Sequence, residues 1–442
     1  MTDRRRFLFS FLAAGTAVVI GLPAAWAADR IRGATAITKV FGDGIRLIGV
    51  ALEYEAAVDG GKLTAANFRI DSRTVVSVFT CASPDPADRA ATGRFVIVEL
   101  SPDDAGAPLR KLLPPEDNGN GPGDPGAAGG PPPGGGPKVL DIPAKATVTQ
   151  VSSVTLGDNT VAPAGAAITT TAVSNLIVDD FRQAEFSDPK TGDKLKYNLF
   201  VPKDYDPAKT YPLVLFMHDA GATSIDPLTT LRQGLGAVGW ASPEDQAKHP
   251  CFVLAPQYAG MIANDQSETT SMLDTTIDLI DKLATDYSID RRRLYATGQS
   301  GGCMMSIAMN IKYPDLFAAS FLVAGQWDPA LVKPLAKAKL WIVVSEGDLK
   351  AYPGQNAITA ALEQDGAKVT RAVWDGTSTP DAFAVAVAAM AAEGTAINYV
   401  ALRKGTVVPA GQSDNGGSNH TNTWRIAYTI GGIRDWILAQ QR

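Results

Sequence analysis

Residues 294–312, LYATGQSGGCMMSIAMNIK, decide the fold of the larger part of the chain. A β-rich run over 294–297 leads into G-Q-S-G-G at 298–302, and a helix-like run over 303–309 follows. A G-x-S-x-G pattern is weak by itself, but a strand turning sharply into a helix around it predicts a serine raised above the edge of a sheet. The flanking glycines relieve the crowding at such a turn. The stretch therefore predicts an α/β fold with Ser300 as a nucleophile; the alternative is a glycine-rich turn without chemistry.

A serine hydroxyl is a weak nucleophile without an adjacent base, and the chain contains 3 histidines. His420 is the predicted base, because it lies in a Gly/Asn-rich loop just before a predicted final helix. The alternative is an ordinary loop histidine. His249 is predicted at the opposite end of the sheet. His218 ends a predicted strand, and bracing of its loop is the favoured role.

The orienting acid is expected on a loop between the serine and the histidine in chain order. Asp348 follows the strongly apolar run 340–344, and it is predicted to hold the tautomer of the base. The alternatives are Glu346, Asp375 and Asp414.

A tetrahedral oxyanion needs two N–H donors to stabilise it. The backbone of Gly301, directly after the nucleophile, is the first predicted donor. The second is expected from the loop that follows the strand ending at Met217. Ala220 is favoured there, and Asp219 is the alternative.

The substrate pocket is predicted on loops at the carboxyl ends of the strands, where ligands bind in such sheets. Its predicted lining consists of Gln299, Tyr258, Gln326 and Trp327. Each aromatic side chain has a core position as an equal alternative. The sequence has no metal-ligand spacing and its histidines are scattered, so no metal or other cofactor is predicted.

From about residue 190, strand-like and helix-like runs alternate, which is typical of a mostly parallel sheet flanked by helices. The predicted strands are 195–201, 212–217, 251–255, 293–297, 319–323, 340–344 and 369–374. The predicted helices are an amphipathic one around 273–281, two at 358–362 and 382–392, and a single final helix at 424–441.

Residues 35–102 form short β-rich runs separated by turn-like clusters, which favours a β-sandwich. Residues 114–137 consist almost wholly of Gly, Pro, Ala, Asn and Asp, and we predict that they are disordered. Strand-like runs resume after that segment, so we place it as a loop inside one sandwich. The predicted domains are a sandwich over 28–175 and an α/β domain over 176–442.

Residues 1–27 are typical of an export signal. Paired arginines precede an apolar run, and Ala25-Trp26-Ala27 forms a small-x-small cleavage site. The paired arginines resemble a twin-arginine signal. We predict a soluble mature protein in the periplasm or outside the cell, without stable membrane insertion. A membrane anchor is the alternative, although the apolar run is short for a span of about 20 residues.

The charge of the chain is mildly acidic, with 40 basic and 46 acidic residues and a net charge of −6. It argues against a nucleic-acid partner, because phosphate neutralisation needs a concentrated basic face. The 3 cysteines leave at least one free thiol. No disulfide is predicted, because Cys251 and Cys303 are expected at opposite edges of the sheet.

The region from about residue 190 resembles the α/β-hydrolase superfamily, and most of all bacterial esterases and predicted peptidases related to polyhydroxybutyrate depolymerases. The matching pieces are M-H-D-A-G at 217–221, L-A-P-Q at 254–257, the stretch 290–302, E-G-D at 346–348 and N-H at 419–420. The sandwich before it resembles the immunoglobulin-like domain of a bacterial esterase family. The hydrolase family that residues from about 190 resemble usually has glycine after the histidine of the loop at 217–221, which we call the oxyanion loop, whereas this chain has Asp219. A carboxylate facing the hole would repel the oxyanion, so its side chain is expected to point away, or the hole is built differently.

The residues and the resemblance together predict an exported serine carboxylesterase that hydrolyses small or medium acyl esters through an acyl-enzyme. Peptidases, polyester depolymerases and feruloyl-type esterases use the same machinery and are the alternatives. A non-enzymatic alternative is a surface-binding protein with an inactive hydrolase domain, but an intact Ser, His and Asp in the expected order argues against it. The predicted partner is a small-molecule or polymeric ester; the sequence predicts no oligomeric state.

Overall fold

A computed structural model describes residues 30–112 and 139–442. The predicted export signal at 1–27 and the predicted disordered loop at 114–137 lie outside these ranges. Within them, no helix combines the length and the apolar character that a membrane span requires. The three cysteines, Cys81, Cys251 and Cys303, fall inside the described ranges and are buried free thiols, in agreement with the absence of a predicted disulfide.

The N-terminal region of the described chain is built from β-strands. Its strands are β1 (Ile31–Phe41), β2 (Gly44–Asp59), β3 (Phe68–Ile70), β4 (Val75–Cys81), β5 (Thr92–Leu100), β6 (Arg110–Leu112), β7 (Val139–Asp141), β8 (Thr147–Gln150), β9 (Val154–Thr155), β10 (Val161–Ala162), β11 (Ile168–Thr169) and β12 (Ala172–Asn175). A five-stranded sheet has the order β12-β1-β2-β5-β4, and a three-stranded sheet has the order β11-β8-β3. The buried hydroxyl of Tyr54 on β2 donates to Oε1 of Gln150 on β8 at 2.7 Å, so a hydrogen bond links the two sheets. These sheets form the predicted β-sandwich.

The C-terminal region forms a nine-stranded sheet. Its strands are β13 (Arg182–Ser187), β14 (Lys194–Phe200), β15 (Tyr211–Met217), β16 (Phe252–Gln257), β17 (Ile289–Gln299), β18 (Ala319–Val323), β19 (Leu340–Ser345), β20 (Val369–Trp374) and β21 (Ile397–Leu402). Their order is β13-β14-β16-β15-β17-β18-β19-β21-β20. β13 and β14 join the sheet antiparallel, whereas the pairs from β16 to β20 are parallel. The central strands are buried along their whole length, as parallel strands covered on both faces are.

Helices pack against this sheet. They are α1 (Thr229–Arg232), α2 (Leu235–Val238), α3 (Pro243–Lys248), α4 (Met272–Asp286), α5 (Gly301–Lys312), α6 (Ala351–Gln364), α7 (Pro380–Ala392), α8 (Gly416–Ala427) and α9 (Gly431–Leu438). Short 3-10 turns lie at Gly60–Lys62, Ala65–Asn67, Val178–Asp180, Ala220–Ala222, Pro329–Leu331 and Lys333–Lys337. The predicted amphipathic helix is α4, which buries Leu273, Ile277 and Ile280 as its spacing indicates.

Two strands and one helix break differ from the sequence prediction. β13 is an edge strand whose residues are mostly exposed, so it lacks a hydrophobic signature. β21 is buried and lies between β19 and β20, but the polar Asn398 interrupts its apolar run. The single final helix predicted at 424–441 is wrong. The chain forms α8 and α9 there, and Ile430 leaves the helical region (φ −86°, ψ 88°) before two glycines that favour a break.

The parallel strands gather the predicted site residues at one edge of the sheet. The loop after β15 carries Ala220, the turn after β17 carries Ser300, and the loop after β19 carries Asp348. Because the strands are parallel, their carboxyl ends meet at the same edge. The N-terminal sandwich also contacts this region, since a Cβ on Gly42 in the β1–β2 turn would lie 2.4 Å from the carbonyl oxygen of Arg425 on α8.

Candidate active site

Ser300 has a strained backbone between β17 and α5. Its φ of 52° and ψ of −117° lie in a region that side-chain-bearing residues rarely adopt. The turn is fixed by its N–H, which donates to the carbonyl of Val323 on β18 at 3.0 Å. Gly302 allows α5 to approach β15, because a Cβ there would lie 2.0 Å from the carbonyl oxygen of Met217. The sharp strand-to-helix turn expected from the sequence is therefore present.

The side chains of Ser300, His420 and Asp348 form one hydrogen-bonded chain. Nε2 of His420 lies 2.9 Å from Oγ of Ser300, and its Nδ1 lies 2.5 Å from Oδ2 of Asp348. Oδ1 of Asp348 accepts the backbone N–H groups of Lys350 at 3.0 Å and Ala351 at 2.9 Å. When Nδ1–H donates to the carboxylate, Nε2 is left as the acceptor that faces the hydroxyl. The structure thus brings together the three residues that the sequence singled out.

The carboxyl group of Asp348 is 2% exposed. Burial alone would raise its pKa. The hydrogen bond and charge of His420, with the N–H groups of Ala351 and Lys350, outweigh burial, so the pKa lies below its ordinary value. Asp348 is therefore an ionised acceptor at neutral pH.

The three alternative acids have other partners. Glu346 accepts a backbone N–H that follows β21 at 2.9 Å. Asp414 accepts the side-chain amide of Asn419 at 2.5 Å, and Asp375 is bound within its own turn. Among the described residues, Asp348 alone of these four carboxylates bonds to the ring of His420.

His420 lies on helix α8, so its predicted position in a loop is wrong. The helix begins at Gly416, and the side chain of Asn415 accepts the N–H of Ser418 at 2.9 Å. This cap satisfies one orphan donor and offsets the weak helix propensity of the glycines. Trp424, one turn further on, packs edge-on against the imidazole with ring centroids 5.1 Å apart. The ring is therefore held by a helix and an aromatic neighbour.

Asn419 is a supporting residue that sequence analysis missed. Its Oδ1 accepts the hydroxyl of Ser345 at 2.9 Å, at the end of β19 where the loop that carries Asp348 begins. Its amide nitrogen also donates to the carbonyl of Asn415 at 2.9 Å. The helix with the histidine is thereby tied to the loop with the acid. The only sequence signal was its position beside His420, because its partner is 74 residues away.

Gly347→Ala is expected to destabilise this connection. A Cβ at Gly347 would lie 2.2 Å from Cγ of the buried Asn419, so a neighbouring group must move. Overpacking of this kind costs about 1–3 kcal/mol. Gly260→Ala is the matched control, since a Cβ there meets no atom within 4 Å. Urea unfolding measures both variants, and equal free energies of unfolding would contradict the expectation.

Two backbone N–H groups lie close together beside Ser300. Gly301 is the first residue of α5, and Ala220 is the first residue of a 3-10 turn. The first N–H groups of a helix have no acceptor within it. A Cβ built on Gly301 would lie 3.6 Å from the nitrogen of Ala220, so the two groups are close together. Their role as an oxyanion hole stays a prediction, and the closeness of the two groups supports it.

The carboxylate of Asp219 is bound by Gln299. Nε2 of Gln299 donates to Oδ2 of Asp219 at 2.9 Å and to Oε1 of Gln233 at 3.2 Å. Gln299 is 1% exposed. Its predicted place in the substrate pocket is therefore wrong, because its amide is occupied by these two acceptors inside the protein.

Tyr258 is also a core residue, so its predicted place in the pocket is wrong and the core alternative holds. It is buried, and its hydroxyl bonds to Thr276 at 3.0 Å. Its N–H donates to Nε2 of His218 at 3.0 Å, and Nδ1 of His218 lies 2.7 Å from the carbonyl oxygen of Asp219. Burial lowers the pKa of His218, so the ring is neutral. It braces the loop after β15, which is the role that the sequence favoured.

A segment after β16 passes along the edge of the sheet near Ser300. This strap, residues 258–271, contacts loops after β18 and β19, although β15 and β17 lie between these strands and β16. Asp265 on the strap accepts Nε2 of Gln326 at 2.8 Å and pairs with the ammonium of Lys350. Ser267 accepts a backbone N–H from the loop after β18 at 2.8 Å.

The last two predicted pocket residues follow β18. Gln326 is half-buried and bonded to the strap, and its contact with substrate stays a prediction. Trp327 is buried in the hydrophobic core, as its core alternative expects, and its contact with substrate stays a prediction. Across residues 30–112 and 139–442, metal-ligating side chains form no group of three or more.

The N-terminal sandwich matches a known domain family. Residues 33–163 fit the model of the esterase Ig-like N-terminal domain. The crystal structure of a thermostable esterase is similar to most of the chain, with a TM-score of 0.74 and 26% identity, over 93% of this chain and 100% of that one. The predicted fold class, an α/β-hydrolase sheet preceded by an immunoglobulin-like domain, is therefore confirmed.

Parts of the chain are similar to curated proteins. It is 30% identical over 132 residues to the probable feruloyl esterase C of Aspergillus terreus, which covers 29% of this chain and 46% of that protein. It is 28% identical over 128 residues to the poly(3-hydroxyalkanoate) depolymerase C of Paucimonas lemoignei, covering 26% of this chain and 28% of that protein. The chain thus spans less than half the length of these relatives.

Proposed function

Because the chain joins an α/β-hydrolase domain to an esterase-type immunoglobulin-like domain, we propose that it is a serine carboxylesterase. The observation that carries the proposal is the hydrogen-bonded chain of Ser300, His420 and Asp348, with distances of 2.9 and 2.5 Å. Similarity to proteins described as esterases supports a carboxylic ester as the substrate. The proposed activity requires no metal or organic cofactor.

In the proposed reaction, Oγ of Ser300 attacks the ester carbonyl carbon while Nε2 of His420 takes its proton. Asp348 stabilises the imidazolium that forms. The N–H groups of Gly301 and Ala220 stabilise the negative oxygen of the tetrahedral intermediate. The intermediate collapses, the alcohol leaves with the proton of the imidazolium, and the acyl group stays on the serine. Water, activated by the same imidazole, then releases the carboxylic acid.

We expect small or medium acyl esters to be the best substrates, because the strap is bonded to the loops after β18 and β19 at the edge of the sheet that carries Ser300. The strap is fixed through Asp265, so Asp265→Ala should shift the preference towards longer acyl chains. A series of p-nitrophenyl esters of increasing chain length, with kcat/KM measured for each, tests both statements. The highest kcat/KM for the longest chain in the wild-type enzyme would contradict the proposal on substrate size.

Polyester hydrolysis is a second candidate, which one observation favours. Ile225 after β15 and Leu349 after β19 are 81% and 78% exposed, on loops that flank the site. Contiguous exposed apolar surface is typical of sites that bind other molecules, and the chain is similar over 128 residues to a poly(3-hydroxyalkanoate) depolymerase. Clearing of a poly(3-hydroxybutyrate) suspension, with Ser300→Ala as the control, tests this candidate. Turnover of soluble esters without clearing would favour the small-ester function.

Feruloyl esters and peptides are cleaved by the same chemistry. Methyl ferulate and aminoacyl p-nitroanilides, assayed in parallel, separate these substrate classes from simple esters. The hydrogen-bonded triad argues against a non-enzymatic surface-binding role. No turnover of any of these substrates by folded protein would favour that role instead.

We also propose that residues 1–27 direct the export of the chain to the periplasm or to the outside of the cell. The proposed partner of the exported protein is its ester substrate. Sequencing the amino terminus of the exported protein tests this step. A mature chain beginning at Ala28 would support the proposal, and a chain that keeps Arg4 and Arg5 would contradict it.

A further inference from the structure

A carboxylate lies beside one of the two proposed oxyanion donors. Asp219 directly precedes Ala220, and its half-buried side chain is bonded to Gln299 at 2.9 Å. Gln299 in turn directly precedes Ser300. The residue before the donor and the residue before the nucleophile are therefore bonded to each other.

The oxyanion loop and the turn at Ser300 meet at three places. A Cβ on Gly302 would lie 2.0 Å from the carbonyl oxygen of Met217, and one on Gly301 would lie 3.6 Å from the nitrogen of Ala220. The third place is the hydrogen bond between Gln299 and Asp219. The first two places are close approaches of backbone atoms, whereas the third is a hydrogen bond between one side chain from each segment. It is therefore the contact that orients the loop with a directional bond.

The Asp219 carboxylate has a defined position in the loop. Its Oδ1 folds back over its own turn, since a Cβ on Gly221 would lie 2.8 Å from it. Its Oδ2 accepts from the buried amide of Gln299. His218, on the other flank, holds the carbonyl of Asp219 at 2.7 Å. Both the side chain and the carbonyl of Asp219, the residue directly before the Ala220 nitrogen, are thus restrained by hydrogen bonds.

We propose that Asp219 and Gln299 are positioning residues, whose hydrogen bond aims the N–H of Ala220 at the oxyanion and keeps the carboxylate away from it. The proposal rests on the proposed esterase function. A hydrogen bond to a carboxylate is about twice as strong as one between neutral groups. Donors to an oxyanion act through fixed placement, so loss of one costs about 10²–10³-fold in kcat, and a misplacement of about 1 Å costs about 10²-fold.

The test exchanges the polarity of the pair. Gln299→Glu sets two carboxylates against each other, and the loop should move away from the turn. We expect kcat to fall about 10- to 100-fold with little change in KM, because the hole acts on the transition state. Adding Asp219→Asn to this variant restores one donor and one acceptor, since the amide of Asn donates to the carboxylate of Glu. The double variant should regain kcat to within about threefold of the wild type, a prediction that follows from the restored hydrogen bond.

Thermal unfolding and kcat are measured for both variants with the p-nitrophenyl ester that the wild type hydrolyses fastest. A Gln299→Glu variant that is folded and keeps full kcat would overturn the proposal, and so would a double variant no faster than the single one. If Gln299→Glu does not fold, Asp219→Ala, at a half-buried position, replaces it and should lower kcat about tenfold. Unchanged kcat in that variant would also overturn the proposal. Failure of the proposed function is distinguishable, because the wild type itself would then lack Ser300-dependent activity.

Discussion

Replacing Ser300 with alanine is expected to lower kcat/KM for ester hydrolysis by about 10³-fold or more. The variant loses the oxygen that forms the acyl-enzyme, while the N–H groups of Gly301 and Ala220 remain. Residual turnover of about 10³- to 10⁴-fold over water is typical when such a hole acts without its nucleophile. Initial rates with a p-nitrophenyl ester, compared with the uncatalysed rate, measure the loss.

Ser306→Ala is the matched control for this change. Ser306 lies within helix α5, which begins directly after Ser300, and in the described part of the chain its hydroxyl bonds to the carbonyl of Gly302 at 3.0 Å. Its loss should leave kcat/KM unaltered. Equal activity of Ser300→Ala and the wild type would contradict the proposed mechanism and point to a different nucleophile.

Replacing Asp348 with asparagine is expected to lower kcat by about 10³- to 10⁴-fold. The amide keeps the size of the side chain, but its nitrogen donates to Nδ1 and favours the tautomer with the proton on Nε2. His420 then presents a donor to Ser300 and no longer accepts its proton. The pH dependence of kcat measures the effect of the changed tautomer of His420. The pH dependence of stability measures the effect of losing the carboxylate of Asp348.

A second Asp–His pair in the chain provides the control. Nε2 of His249 lies 3.1 Å from Oδ1 of Asp435, before the amino end of β16 and far from the proposed site. Asp435→Asn should therefore leave kcat unchanged. A large loss of kcat in this variant as well would show that removing any such pair disrupts the enzyme.

Asp348 should also make stability depend on pH. Its pKa is lowered in the folded state, so its contribution is fully present above the ordinary value of about 3.9. It is lost as the pH falls through the folded-state pKa. The difference in unfolding free energy between the wild type and Asp348→Asn is therefore expected to shrink below about pH 4. A difference that grows in acid would contradict this sign.

The three residues that form the hydrogen-bonded chain could be singled out because each follows a recognisable feature of the sequence. Ser300 lies in a strand–turn–helix pattern, Asp348 follows an apolar strand, and three histidines left few candidates for the base. The periodicity of α4 and the apolar runs of the central strands came from the same local physics. These features depend on residues that are close in sequence.

The errors concern contacts between distant residues. Gln299 ends β17 and Tyr258 follows β16, so both lie at the edge of the sheet that the sequence indicates. Whether their side chains face substrate depends on distant partners, which are Asp219 for Gln299 and Thr276 for Tyr258. The helical position of His420 depends on a cap and on packing that outweigh the weak propensity of two glycines. No local pattern reports such contacts.

Labelling of the active enzyme with a fluorophosphonate, followed by peptide mass spectrometry of the adduct, tests directly whether Ser300 is the nucleophile. Trypsin should release residues 294–312, and fragmentation should place the phosphonate on Ser300 rather than Ser306. One adduct is expected, at Ser300, with loss of activity in proportion to labelling and no adduct in Ser300→Ala. Inactivation with the adduct on any other residue would contradict it.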